Sequence, residues 1–126
     1  GIACPVYLSG DHNPQGAESL RELLRAYRWE FLHVLVGIGH EKEAEPMLEL
    51  LSALPNVRLH LTETPFRGRT LSEYGVWLSR AASAHPDPLV ALREIGRGVT
   101  PKDAVLVTGS LYLVGKVLSF SDQTRS

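Results

Sequence analysis

Along the chain, short apolar runs alternate with stretches in which apolar residues recur every three or four positions. The apolar runs lie at residues 5–8, 31–38, 57–61 and 104–107, and they predict strands. The run at 31–38 is almost continuously apolar, which is typical of a strand covered on both faces. Because strands and helical stretches alternate, we expect a three-layer α/β domain with a mainly parallel sheet.

The first two helical stretches carry clear boundary signals. Asn13 is placed to cap a helix that starts at Pro14, where a missing N–H does no harm. The apolar face of that helix has helical spacing and consists of Leu20, Leu23, Leu24 and Tyr27. A second helix is expected to open at residues 45–46 and to end at Pro55. Its predicted apolar face is Met47, Leu50, Leu51 and Leu54.

Three further helices are predicted in the second half of the chain. A capping-box pattern at residues 70–73 predicts a helix over residues 71–84. An Asp-Pro pair at 87–88 predicts the start of the next helix, which we expect to end within residues 96–98 because glycines lie there. The last helix is expected at residues 111–118, after a buried strand and a glycine turn.

Composition narrows the classes of protein that remain. At 126 residues we expect a single domain, residues 1–126. The formal net charge of −1 gives no electrostatic basis for binding nucleic acid or a membrane surface. The lone cysteine, Cys4, and the lack of an apolar run of about 18 residues or of a signal peptide favour a cytoplasmic location. Because the chain begins with Gly1 rather than Met, we expect a piece of a longer protein.

Chemically capable side chains gather where predicted strands end, at residues 9–13, 37–42 and 108–110. Ligands of parallel sheets bind at the carboxyl ends of the strands. In the first segment, Asp11 and His12 stand beside a predicted helix N-terminus, whose N–H groups favour an anion. The pattern supports His12 equally well as a ligand contact and as a plain surface residue.

In the third segment a serine follows a glycine at the start of a helix, an arrangement that can seat a carboxylate or phosphate. The spacing alone favours a simple N-cap for Ser110. The glycines at 37–40 do not make a dinucleotide fingerprint, because Lys42 stands where the third glycine is needed.

The remaining candidates are weaker. His33 and His60 are interpreted as satisfied residues of the sheet. Arg67 and Arg69 form a basic pair in a loop, which fits a solvated loop better than a contact with an acidic ligand. Neither a phosphate-binding P-loop nor the spacing of a structural zinc site is present in the sequence.

Two motifs together carry a resemblance to a known family. Residues 7–20, YLSGDHNPQGAESL, resemble the Asp-Gly-Ala-His-Asn-Pro segment of the folylpolyglutamate synthase/dihydrofolate synthase family. Residues 105–115, VLVTGSLYLVG, are similar to the closing motif of that family. The resemblance implies a Rossmann-like C-terminal domain of the Mur ligase type, and it covers essentially the whole chain.

The resemblance also implies an activity. The family uses ATP to phosphorylate the carboxylate of dihydropteroate or a folate, and the amine of L-glutamate then displaces the phosphate. ATP and Mg²⁺ are expected to be held mainly by an N-terminal P-loop domain, which this chain lacks, so the isolated fragment is predicted to be inactive. The implied partners are the small-molecule substrates and that ATPase domain.

By the same resemblance, His12 and Ser110 are the expected catalytic residues, and with Tyr112 they are expected to contact glutamate. The expected nucleotide-side residues are Ser9, Asp11, His12 and Asn13. Ser9 departs from the family, which has an aspartate there, and the acid has moved to Asp11. A short strand that the family often carries is not evident around residues 84–87.

Two alternative hypotheses about function remain. A peptidoglycan-type Mur amino-acid ligase shares the architecture, but the Thr-Gly-Ser-Leu-Tyr run at 108–112 argues against it. A degenerate, non-catalytic binding module would explain Ser9.

Overall fold

The computed structural model describes residues 2–9, 28–40, 43–64 and 67–123 of the chain. Its strands are β1 (Val6–Ser9), β2 (Leu32–Val36), β3 (Val57–Thr62), β4 (Ser83–His85) and β5 (Ala104–Thr108). Its helices are α1 (Ala44–Ser52), α2 (Trp77–Arg80), α3 (Pro88–Gly98) and α4 (Leu111–Gln123), and a short 3-10 helix spans Leu71–Tyr74. The predicted first helix, with Asn13 and Pro14 at its start, lies outside the described residues.

The five strands form one parallel sheet in the order β1-β5-β2-β3-β4. The central strand β2 and its neighbour β5 are the most deeply buried: every residue of β5 is buried, and in β2 only His33 is partly exposed. The α/β fold with a mainly parallel sheet, predicted from the alternation of strands and helices, is therefore confirmed.

Side chains that alternate along β2 separate the core into two layers, because successive residues of a strand point to opposite faces. Val34 packs in a cluster with α1, the 3-10 helix and α2, whereas Leu35 packs in a cluster with α3 and α4. Since helices cover both faces, the molecule has three layers. No helix in the described part of the chain is long and apolar enough to cross a membrane.

The predicted helix boundaries agree with the structure in one case and are displaced in two others. The fourth predicted helix is capped by Asp87, whose carboxylate accepts a hydrogen bond from the Leu89 N–H at 2.9 Å, and it spans Pro88–Gly98. The second predicted helix starts one residue early, at Ala44. The last helix is longer than predicted, because it continues past Leu118 to Gln123.

The helix predicted over residues 71–84 is wrong. The capping box starts only a 3-10 helix, which stops at Gly75, where φ is 60°. After the four-residue helix α2, the backbone of Ala82 donates to Leu59 O at 2.7 Å and the chain continues as β4. A strand is thus present where none was expected, because residues 83–85 form a largely exposed edge strand and lack an apolar run.

Candidate functional site at the carboxyl edge of the sheet

The carboxyl ends of the strands meet at one edge of the sheet. Ser9, the last residue of β1, is paired with Thr108 of β5, and Thr108 is paired in turn with Val36 of β2. The segment 108–110 and the described part of the predicted segment 37–42, residues 37–40, therefore lie next to each other, with Ser9 on the opposite side of β5. Asp11, His12 and Asn13 lie outside the described residues, so their roles stay predictions.

Glycines bring the exits of β2 and β5 into contact. The Gly37 N–H donates to Thr108 O at 3.3 Å. Gly109 has a φ of +110°, and a Cβ added there would lie 2.7 Å from Gly37 O. Such a carbon would overlap the carbonyl, and the backbone conformation also disfavours a side chain. This close approach explains the glycine between Thr108 and Ser110.

Ser110 caps the following helix. Its hydroxyl oxygen accepts from the Tyr112 N–H at 3.1 Å and from the Leu113 N–H at 3.4 Å, and the residue is buried. The N-cap favoured by the spacing is therefore confirmed. Since both contacts use the oxygen as an acceptor, the O–H proton remains able to donate to an acceptor elsewhere. The Tyr112 side chain is exposed.

The loops after β2 and β3 are joined by a short antiparallel bridge between Gly39 and Gly68. The His40 N–H donates to Arg67 O at 2.7 Å, and the Arg69 N–H donates to Ile38 O at 3.0 Å. The guanidinium of Arg69 also donates to His40 O at 3.4 Å. Hydrogen bonds therefore fix the backbone of His40 at both its N–H and its carbonyl.

The side chain of His40 forms an ion pair with a carboxylate. Its Nδ1 lies 2.8 Å from Glu73 Oε2, and the imidazole is 62% exposed. The other oxygen, Glu73 Oε1, accepts from Thr70 Oγ1 at 2.8 Å and from the Thr70 N–H at 3.1 Å. The hydrogen bonds from Thr70, and then the nearby His40, lower the pKa of Glu73, which favours its ionised form.

Tyr74 anchors this region to the sheet. Its hydroxyl accepts from the Ile38 N–H at 3.0 Å and donates to Thr62 O at 3.4 Å. Burial raises its pKa to about 12, so the hydroxyl stays protonated at neutral pH. Sequence reasoning did not consider Tyr74, and it assigned Glu73 only to a capping box. No local pattern links either residue to the loop after β2.

A surface cavity of about 610 Å³ adjoins the ion pair. Glu73 is part of its wall, and the facing wall is the N-terminal part of α1. Its other charged lining residues are Glu43, Glu45 and Arg69. A space of this size with groups of both signs can admit a small charged molecule.

The histidines of the sheet form a separate cluster on the α3 and α4 face. His33 Nδ1 and His60 Nε2 lie 3.0 Å apart, and His60 Nδ1 lies 2.6 Å from Ser83 Oγ. Burial, assisted by His33 and by Arg58, lowers the pKa of His60 to about 4. Both histidines are thus satisfied within the sheet, as predicted, and His60 is too weak a base to activate Ser83 at neutral pH.

Metal binding has no support in the described ranges: no group of three or more His, Cys, Asp or Glu side chains there is arranged to hold an ion.

Sequence comparison finds relatives among folate enzymes. Over 118 residues the chain is 25% identical to a dihydrofolate synthase/folylpolyglutamate synthase of Bacillus subtilis, covering 90% of the chain and 27% of that protein. Over 125 residues it is 30% identical to a probable bifunctional folylpolyglutamate synthase/dihydropteroate synthase of Haloferax volcanii, covering 92% of the chain and 14% of that protein. The chain thus spans about a quarter or less of these relatives. No family model matches it.

Solved structures agree in fold. E. coli FolC in complex with ADP superposes with a TM-score of 0.87 at 22% identity, over 99% of this chain and 30% of that one. A bifunctional folylpolyglutamate synthase/dihydrofolate synthase with Mn, AMPPNP and L-glutamate bound superposes with a TM-score of 0.85 at 21% identity, over 97% and 30%. The resemblance inferred from the two motifs is confirmed: the chain matches the C-terminal region of folylpolyglutamate/dihydrofolate synthases.

Proposed function

We propose that this chain is the C-terminal domain of a longer ATP-dependent ligase that adds L-glutamate to dihydropteroate, to folates, or to both. A P-loop ATPase domain would precede it in the full-length protein and would be its main partner. The observation that carries the proposal is the Ser110 turn, whose sequence has the family motif and whose geometry leaves a hydroxyl donor at a helix N-terminus.

The reaction would proceed in two steps. ATP, with Mg²⁺, supplies the phosphoryl group that converts the acceptor carboxylate into an acyl phosphate. The amine of glutamate then attacks that carbonyl carbon, the bond to phosphate breaks, and an amide forms. The acyl phosphate is sensitive to hydrolysis, so closure of the two domains over the cleft would serve to exclude water.

Ser110 would bind a carboxylate of the incoming glutamate. Its O–H can donate to the carboxylate while its oxygen keeps the cap of α4, and the N-terminus of that helix favours a negative charge. We extend the same role to Tyr112 and His12, and we propose a catalytic role for His12 and Ser110.

On the nucleotide side of the cleft we propose Ser9, Asp11, His12 and Asn13. Ser9 ends β1, beside Thr108 of β5. Its place in the sheet supports a position at the edge of the cleft, although a serine lacks the charge of the aspartate that the family has there. Binding of ADP and AMPPNP by the solved relatives supports a nucleotide in the full-length protein.

We also propose a cytoplasmic location, supported by Cys4, which is buried as a free thiol. The isolated chain should turn over no substrate, because it carries no P-loop.

The test is an assay of ADP release by the full-length protein, with glutamate and either dihydropteroate or tetrahydrofolate. Ser110→Ala should raise the KM for glutamate by about 10-fold to 100-fold, with a smaller effect on kcat, because a hydrogen bond to a charged group is lost. The matched control is Asp87→Ala. Asp87 caps α3 just after β4, which is three strands from β5 in the sheet, so its loss should leave this KM unchanged.

An unchanged KM in Ser110→Ala would remove Ser110 from the glutamate site. An inactive but folded wild-type protein with both acceptors would contradict the ligase proposal, and it would favour a degenerate binding module.

A further inference from the structure

We propose that His40 accepts a proton from the ammonium group of the incoming amino acid, and that Glu73 holds the histidine in the tautomer that this step needs. The inference rests on the proposed function and adds a residue pair to it. Neither residue belongs to the two motifs that carry the resemblance.

The position of His40 is defined by contacts on three sides. Its N–H donates to Arg67 O at 2.7 Å, its carbonyl accepts from the Arg69 guanidinium at 3.4 Å, and its Nδ1 lies 2.8 Å from Glu73 Oε2. Glu73 is in turn held by Thr70 through its other oxygen. A side chain oriented by a carboxylate that is itself fixed is the usual arrangement for a working histidine.

The partner of Nδ1 decides the tautomer. An ionised carboxylate can only accept a hydrogen bond, so Nδ1 must carry the proton that points to Glu73. In the neutral imidazole, Nε2 then has a free lone pair. Within the described ranges no group is in hydrogen-bond contact with Nε2, and the imidazole is 62% exposed, so a substrate can reach it.

The charged groups near His40 allow this role. Glu73 stabilises the imidazolium that forms when Nε2 takes a proton. The guanidinium of Arg69 contacts the same loop at the backbone carbonyl of His40.

His40 also lies on the correct part of the sheet. It follows β2, whose exit contacts the Ser110 turn: a Cβ on Gly109 would lie 3.2 Å from Ile38 Cγ1. Glutamate held by its carboxylate at Ser110 would therefore have the loop that bears His40 as its neighbour. A cavity of about 610 Å³ borders Glu73, one member of the pair.

The proton balance of the step is simple. The ammonium of glutamate gives one proton to Nε2 of His40, which becomes an imidazolium, and the amine gains its lone pair. The amine attacks the acyl-phosphate carbonyl, the carbon–oxygen bond to phosphate breaks, and the second proton of the nitrogen leaves with the phosphate. His40 then returns its proton to water before the next turnover.

The experiment compares two nucleophiles in the full-length protein. Glutamate is protonated at neutral pH and needs a base, whereas hydroxylamine is largely unprotonated and traps an acyl phosphate without one. His40→Gln should lower kcat with glutamate by about 100-fold while hydroxamate formation stays within about threefold of wild type. His85→Gln is the matched control, since His85 accepts from the Asp87 N–H at the end of β4 and should retain both rates.

Glu73→Gln tests the positioning role. Its amide oxygen can still accept from Thr70, but the carboxylate that orients and stabilises the imidazolium is lost. We expect a smaller loss of kcat with glutamate, about 10-fold, while hydroxamate formation again stays within about threefold of wild type.

Each other outcome overturns the inference. If His40→Gln slows both nucleophiles equally, His40 acts in binding or in the phosphoryl step. If it slows neither, His40 is a surface residue with a structural ion pair. If the wild-type protein forms neither glutamate adduct nor hydroxamate, the proposed function itself fails, which is a different result from either.

Discussion

Two pairs of side chains in this small domain each contain a histidine: His33 with His60, and His40 with Glu73. The distances within the two pairs are similar, but their surroundings differ. His60 is almost fully buried in the sheet and lies 3.0 Å from His33. His40 is 62% exposed at the carboxyl edge and lies 2.8 Å from Glu73. The difference lies in burial and in the charge of the partner.

Those two factors set the chemistry of each pair. Burial and a second imidazole both penalise the charged form of His60, so its pKa falls to about 4. The pair at the edge instead joins an exposed imidazole to a carboxylate, so its histidine can meet a substrate from solvent. The first pair is therefore suited to stability and the second to chemistry, and three predictions test this contrast.

The largest expected effect is acid destabilisation through the buried pair. Above pH 6.5, the ordinary pKa, His60 is neutral in both the folded and the unfolded chain and adds no pH dependence. As the pH falls from 6.5 to about 4, the unfolded chain takes up the proton and the folded chain does not, so stability is lost. A shift of this size corresponds to about 3 kcal/mol.

Urea unfolding at pH 7.5 and pH 4.5, followed by circular dichroism, measures this loss. His60→Gln should be less stable than wild type at pH 7.5 and should show a flatter dependence on pH. Equal slopes in the two proteins would mean that other groups cause the acid sensitivity, His33 among them, whose pKa is also lowered by burial.

The second prediction concerns Tyr74, whose hydroxyl anchors the segment after β2 at the carboxyl edge of the sheet. Tyr74→Phe removes the hydroxyl that accepts from the buried Ile38 N–H and leaves that donor unsatisfied. We expect a loss of about 1 to 3 kcal/mol in the free energy of unfolding. In native-state hydrogen exchange, the Ile38 amide should lose protection more than the amides of β5. Unchanged protection at Ile38 would show that the hydroxyl is dispensable.

The smallest effect is the most informative for the comparison. Glu73→Gln should leave the free energy of unfolding almost unchanged, because an exposed ion pair contributes little to stability. The same substitution should lower turnover with glutamate in the full-length protein. A large loss of stability would instead assign the pair to the fold, like His33 and His60.

Much of this architecture is predictable from local signals. The continuous apolar run around β2, the Asp-Pro start of α3 and the glycine after β5 each indicate their element without outside information. The failure at 71–84 is equally instructive. Its capping box is real, but Gly75 ends the turn, and β4 is stabilised by pairing with β3 rather than by apolar residues of its own.

The site divides along the same line. The sequence by itself determined the Ser110 turn, because a strand end, a glycine and a cap lie within three consecutive residues. Its family motif is also a run of consecutive residues, so it can be recognised without knowing which residues lie nearby in the fold. Only the tertiary structure decided that Glu73 meets His40 and that Tyr74 holds Ile38. Glu73 and Tyr74 belong to the 3-10 helix that follows β3, whereas Ile38 and His40 follow β2. They meet because parallel pairing of β2 with β3 brings both segments to one edge of the sheet.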